Sequence, residues 1–152
     1  MSHVVASKVF VSSLSDAREV GDELGFNLVE NVSTYAWYGS WQNDFSGETA
    51  AVDNGYNPKD LGKCEHKLRR KDHTSGMYEI GLCKRPDGKP GWELVYDNWG
   101  GGGKAIEEKA GKGLGLFKAH LGAHAMVKQA RREGYRITKT VVNNKIRVSA
   151  SR

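Results

Sequence analysis

The chain holds little of what most readily betrays a function. There are two cysteines and three prolines in 152 residues. Two thiols, Cys64 and Cys83, do not make a disulfide framework and read as free thiols of a reducing compartment. No apolar run approaches the ~20 residues that a membrane-spanning helix needs. The opening MSHVVASKVFVSS lacks the basic and long apolar regions of a secretory leader, so the expected location is the cytoplasm. No G-x-S-x-G elbow occurs and neither cysteine lies in a catalytic motif, which leaves nucleophilic catalysis without support. No RRM, KH, helix-turn-helix or zinc-finger pattern is present.

Metal chemistry is equally thin. Cys64, His66, His73 and Cys83 are zinc ligands by type, but their spacing matches no common closed site. His120 and His124 share one side of a helix, with no catalytic Glu beside the first and no evident third ligand. They read as packing residues at the edge of an apolar stripe, with hydrogen bonds to the sheet. No metal and no cofactor is expected.

What is present is a globular composition, 38% hydrophobic and 27% charged, of a length that suits one domain, residues 1–152. The net charge of +5 is unevenly placed. From Lys104 to Arg152 there are 12 Lys and Arg against 3 Asp and Glu, while the first 103 residues hold 11 against 15. A basic C-terminal third suggests an anionic partner; a solvated helix face and a charge-guarded hairpin edge would give the same count.

Val4 to Val11 is β-branched and predicts a strand. Ser13 then caps a helix carrying Leu14, Ala17, Val20 and Leu24 at helical spacing, closed by Gly25. A strand is expected from Leu28 to Tyr38, an irregular loop from Gly39 to Gly62, and a basic strand from Lys63 to Lys71. Gly76 to Lys84 and Trp92 to Asp97 pair around the turn Arg85-Pro86-Asp87-Gly88-Lys89-Pro90. The glycine-rich Gly100 to Gly115 leads to the longest helix, Leu116 to Glu133, with Leu116, Ala119, Ala123, Met126, Val127 and Ala130 on one face. Arg136 to Val142 and Lys145 to Ser151 form a last hairpin about Asn143-Asn144. The expected fold is α+β: a mostly antiparallel sheet with two helices packed on one face, ordered β-α-β and then hairpin-helix-hairpin.

Several of these segments coincide with one family pattern. They are Met1-Ser2-His3, Tyr78-Glu79-Ile80-Gly81, Trp92-Glu93-Leu94-Val95 with Asp97-Asn98-Trp99-Gly100, Ala130 to Tyr135, and Lys145-Ile146-Arg147-Val148. Together they resemble the family called hypothetical chloroplast reading frame thirty-five, encoded in plastids, cyanobacteria, other bacteria and some phages. The resemblance implies a small cytoplasmic or stromal protein without established catalysis. Relatives are often encoded beside an AAA+ ATPase, which implies an adaptor for such a machine. They are usually shorter, with a tighter connection in place of Gly39 to Gly62.

The best candidate site is Tyr96, Asp97 and Trp99 with Gly100, Gly101, Gly102 and Gly103. A glycine run before a helix exposes N–H groups that can hold an anion. The run GGGGK lacks the Walker order, so a flexible joint or a partner-binding loop anchored by Trp99 is the better reading. Two basic groups form the nucleic-acid clue: Lys63, Lys67, Arg69, Arg70 and Lys71, and then Lys128, Arg131, Arg132, Arg136 and Lys139 around Tyr135, with Lys104 apart. Phosphate contacts need only such charge. The leading expectation is a non-enzymatic binding or adaptor protein. A sequence-nonspecific nucleic-acid binder comes second, and a small enzyme with an anion-binding glycine loop third.

Overall fold

The computed structural model describes residues 3–40, 50–143 and 145–152. The aromatics Trp41 and Phe45 of the long loop, the leading Met1-Ser2 and Asn144 of the last turn lie outside the described residues.

Strand β1 (Val4–Val11) runs as its β-branched sequence demands. Ser13 then caps helix α1 (Leu14–Glu23), its hydroxyl accepting the Asp16 N–H at 3.1 Å, and Gly25 leaves the helix at φ +89°. Strand β2 (Phe26–Val29), a single turn α2 (Ala50–Asp53), and strands β3 (His66–Arg70), β4 (Ile80–Lys84) and β5 (Trp92–Asp97) follow. Helices α3 (Gly100–Ala110) and α4 (Gly115–Arg132) lead to β6 (Arg136–Val142) and β7 (Lys145–Ser151).

The first five strands form one sheet in the order β1-β5-β4-β3-β2, antiparallel at every step. Strands β1 and β2 are therefore opposite edges running the same way, and α1 crosses one face between them. That face carries the main core. Val20, Phe26, Leu68, Ile80, Leu82, Leu94, Tyr96, Ile106 and Phe117 come together from α1, α3, α4 and the sheet. The α+β expectation holds, with α3 joining the two expected helices. The stretch from Gly100 was expected to be a joint, but it is the first turn of α3.

The other face of the sheet is not bare. Tyr35, Trp37, Ala51 and Leu61 cover Val4, Ala6, Cys83 and Val95. The Tyr35 ring lies 2.4 Å from where a Gly81 side chain would begin, so the covering segment can sit directly on the backbone of β4. The expected strand from Leu28 to Tyr38 stops at Val29, because Asn31 turns the chain at φ +56°; beyond it only the Thr34–Lys63 bridge remains.

On α4 the buried residues are Phe117, His120, Ala123 and Val127, and Met126 is 61% exposed. The expected stripe is thus rotated by about one residue, toward the side where α1 lies. Among the described residues no helix is long and apolar enough to cross a membrane.

Candidate functional site

Alternation along β5 divides the predicted cluster at once. Tyr96 points into the helix-covered core, where its hydroxyl donates to Glu107 Oε2 at 2.7 Å and accepts the Gly113 N–H at 3.1 Å. Burial and the Glu107 bond push its phenol well above the usual range. Asp97 points to the opposite face and is fully buried. Its Oδ1 accepts the N–H of His3 at 3.1 Å and of Trp99 at 2.9 Å, and its Oδ2 accepts the N–H of Tyr38 at 3.1 Å. Asp97 therefore gathers three chain segments and presents nothing to solvent. Only Trp99 is open, 43% exposed, its ring stacked on His3 at 5.0 Å between centroids.

Two of the four glycines are required by close packing. A Cβ on Gly102 would enter the Tyr78 ring at 2.5 Å, and one on Gly103 would meet the Asn98 backbone at 2.3 Å. Close packing at the start of α3 accounts for these two. Gly100, at φ +59°, and Gly101 face open space. The predicted site is thus taken apart: Tyr96 and Asp97 lie on opposite faces, and the glycines belong to a helix.

Two further carboxylates share the face of Asp97. Glu93 is 1% exposed; its Oε2 accepts the Lys8 N–H at 2.9 Å and its Oε1 the Tyr56 hydroxyl at 2.8 Å. Lys8, at φ +61°, lies in the bulge where three residues of β1 oppose one of β5, so Glu93 holds that irregularity in place. Glu79 accepts the Ala36 N–H at 2.8 Å, Lys67 Nζ at 3.1 Å and Arg69 Nε at 2.8 Å. Burial raises the Glu79 carboxyl, yet these bonds outweigh it and hold the group below its ordinary value. Each carboxylate has its own donors. Glu93 and Asp97, four residues apart on one strand, are about 13 Å apart along it and form no catalytic pair. Glu107 and Glu108 also divide, to Tyr96 and to Arg70 respectively.

His66, His120 and His124 have polar neighbours, and the Cys83 thiol donates to the Lys63 carbonyl at 3.3 Å, whereas the buried Nδ1 of His73 has no hydrogen-bond partner among the described residues. His66 Nδ1 accepts the Asn31 N–H at 3.0 Å, and its ring meets Trp92 edge-on. His120 Nδ1 is 2.7 Å from Glu23 Oε2, and His124 Nε2 is 2.9 Å from Glu19 and 3.2 Å from Asp16. These histidines bind α4 to α1, not to the sheet. Among the described residues no group of His, Cys, Asp and Glu could hold a metal ion. Cys64 and Cys83 line a cavity of about 290 Å³ with Tyr56 and Lys63. Burial pushes the Cys64 thiol up to about 12 and the Cys83 thiol higher still, so neither is a nucleophile at neutral pH.

The two basic groups fare differently. Every member of the first is paired: Lys63 with Asp60, Lys67 and Arg69 with Glu79, Arg70 with Asp72, and Lys71 with Asp22. In the second, Lys128 holds Asp16 and Lys139 holds Glu23. Among the described residues, Arg131, Arg132, Arg136, Lys145 and Arg147 make no ion pair and are exposed, as is Lys104 on α3. Three of these five lie on the β6–β7 ribbon, which is separate from the main sheet. Residues 134–152 contain five Lys and Arg and no Asp or Glu.

The ribbon has two unlike faces. Ile137, Lys139 and Val141 turn toward the helices, where Ile137 and Lys139 line a cavity with His124 and Val127, and Val141 lines another with Leu116 and His120. Arg136, Thr138, Thr140 and Val142 face outward, opposite Ser151, Ser149, Arg147 and Lys145. Composition pointed to this third of the chain; the pairing that removes the first group and spares the ribbon could not be read from it. Comparison of the chain with protein-family models, with curated proteins and with solved structures gives no match.

Proposed function

We propose that this is a nucleic-acid-binding protein whose working surface is the outer face of the β6–β7 ribbon with the end of α4. One observation carries the reading. The basic cluster on and around β3 (Lys63, Lys67, Arg69, Arg70 and Lys71) is neutralised by carboxylates, whereas Arg136, Lys145 and Arg147 of the ribbon, and Arg131 and Arg132 at the end of α4, are exposed and make no ion pair among the described residues. Unpaired cations on an acid-free ribbon attract a polyanion, and each phosphate they neutralise releases a counterion. No catalytic role is assigned, since the buried carboxylates Glu79, Glu93 and Asp97 all have structural partners.

The test is binding of the full chain to a labelled duplex, read by fluorescence anisotropy between about 50 and 200 mM salt. The expected result is affinity that falls steeply with salt and a shallower slope for the Arg136→Ala/Arg147→Ala variant. No binding at the low end, or binding indifferent to salt, would overturn the reading.

A second reading keeps the adaptor role, with Trp99 as the anchor for a protein partner such as an ATPase. The exposed Trp99–His3 stack favours it. Its test is capture of a stoichiometric protein partner by the wild type and loss of that partner on Trp99→Ala.

A further inference from the structure

We propose that the β6–β7 ribbon enters the major groove of B-form DNA and distinguishes a DNA duplex from an RNA duplex and from single strands. The inference rests on the nucleic-acid reading above and assigns it a ligand class. Three observations lead there.

The first is shape. The ribbon has two strands of seven residues, each about 23 Å long at 3.3 Å per residue. A two-stranded ribbon fits the major groove of B-form DNA, whereas the A-form groove of duplex RNA is too deep and narrow to be read by side chains. The second is mounting. Lys139, bound to Glu23, and the inward Ile137 hold one face against α1 and α4, which leaves the other face free in a set orientation.

The third is chemistry. The outer cross-strand pairs are Arg136–Ser151, Thr138–Ser149, Thr140–Arg147 and Val142–Lys145. Short hydroxyl side chains occupy the middle and cations lie toward both ends. That face has no aromatic ring, so it lacks the stacking platform by which single strands are held. The guanidinium fork of Arg147 matches guanine O6 and N7, while Arg136 and Lys145 can serve flanking phosphates. The methyl groups of Thr140 and Val142 suit thymine.

The experiment compares three probes of the same sequence, each about two helical turns long, at one salt concentration: DNA duplex, RNA duplex and single-stranded DNA. The expected order places the DNA duplex first by at least about tenfold. Arg147→Ala should weaken duplex DNA binding by about fivefold to a hundredfold. Arg147→Lys keeps the charge and removes the fork, so it should retain the salt slope while losing the same preference. Equal affinity for all three probes would overturn groove entry and leave the nucleic-acid reading standing. Binding to none would overturn both. Circular dichroism of each variant separates a lost contact from a lost fold.

Discussion

The Tyr56 hydroxyl donates to Glu93 Oε1 at 2.8 Å, and through this bond the 50–62 segment is fastened to β5. Burial and the Glu93 bond both hold the phenol proton in place. Tyr56→Phe keeps the ring and strips a buried carboxylate oxygen of its donor, a loss of about 1–3 kcal/mol. Urea unfolding followed by tryptophan fluorescence should show a lower midpoint at unchanged slope. An unchanged midpoint would mean that the segment does not depend on this bond.

Asp97 should be harder to replace. Its two oxygens serve three backbone donors from His3, Tyr38 and Trp99. Asparagine has one accepting oxygen, so Asp97→Asn leaves at least one buried N–H without a partner, again about 1–3 kcal/mol, and Asp97→Ala leaves all three. The expected order of midpoints is wild type, then Asn, then Ala. Amide hydrogen exchange at Tyr38 should quicken in both variants; protection equal to wild type would remove Asp97 from its role in holding the 30–40 segment.

Much of the fold was legible because it is local. β1, β5, β6 and β7 begin and end as β-branched runs and their flanking turns predict, and Ser13 caps as its side chain allows. The failures arise where tertiary contact overrides composition. Four glycines predict a loop; they open a helix instead, and Gly102 and Gly103 are there because Tyr78 and Asn98 lie closer than any side chain would permit. Tyr35 and Trp37 read as strand aromatics but are buried from an irregular segment that the Asp97 and Glu79 carboxylates hold. A signal for this second core was present. Glu79, Glu93 and Asp97 all lie on the sheet face opposite Leu82, Leu94 and Tyr96, and a long aromatic-bearing loop was at hand to cover them. Which cations would be neutralised depended on long-range pairing that no local pattern encodes.

Acid should loosen the molecule through Glu79. Its folded-state pKa lies below the ordinary 4.5, so the unfolded chain binds the proton more readily. The resulting stability is fully present above pH 4.5 and is lost as pH falls through the lower folded value. Asp16 and Glu23 act in the same direction: burial opposes them, but Lys128 and Lys139 prevail. Urea midpoints measured from about pH 7 down to pH 3 should fall steeply at the acid end for the wild type and less steeply for Glu79→Gln. Parallel curves would show that Glu79 contributes nothing to the acid limb.

Gly101 and Gly103, two residues apart, should respond oppositely to one methyl group. Gly101 faces open space within α3, so Gly101→Ala gains helix propensity and should stabilise by up to about 1 kcal/mol. On Gly103 the same atom would lie 2.3 Å from the Asn98 carbonyl carbon, and backbone cannot yield as a flexible side chain can. Gly103→Ala should therefore destabilise by about 1–3 kcal/mol despite the same gain in propensity. In a flexible joint neither substitution would be felt as a clash, and both would act only by restricting the unfolded chain. Midpoints that move in opposite directions would thus establish that the glycine run is a packed helix start; two small shifts of one sign would return it to a joint.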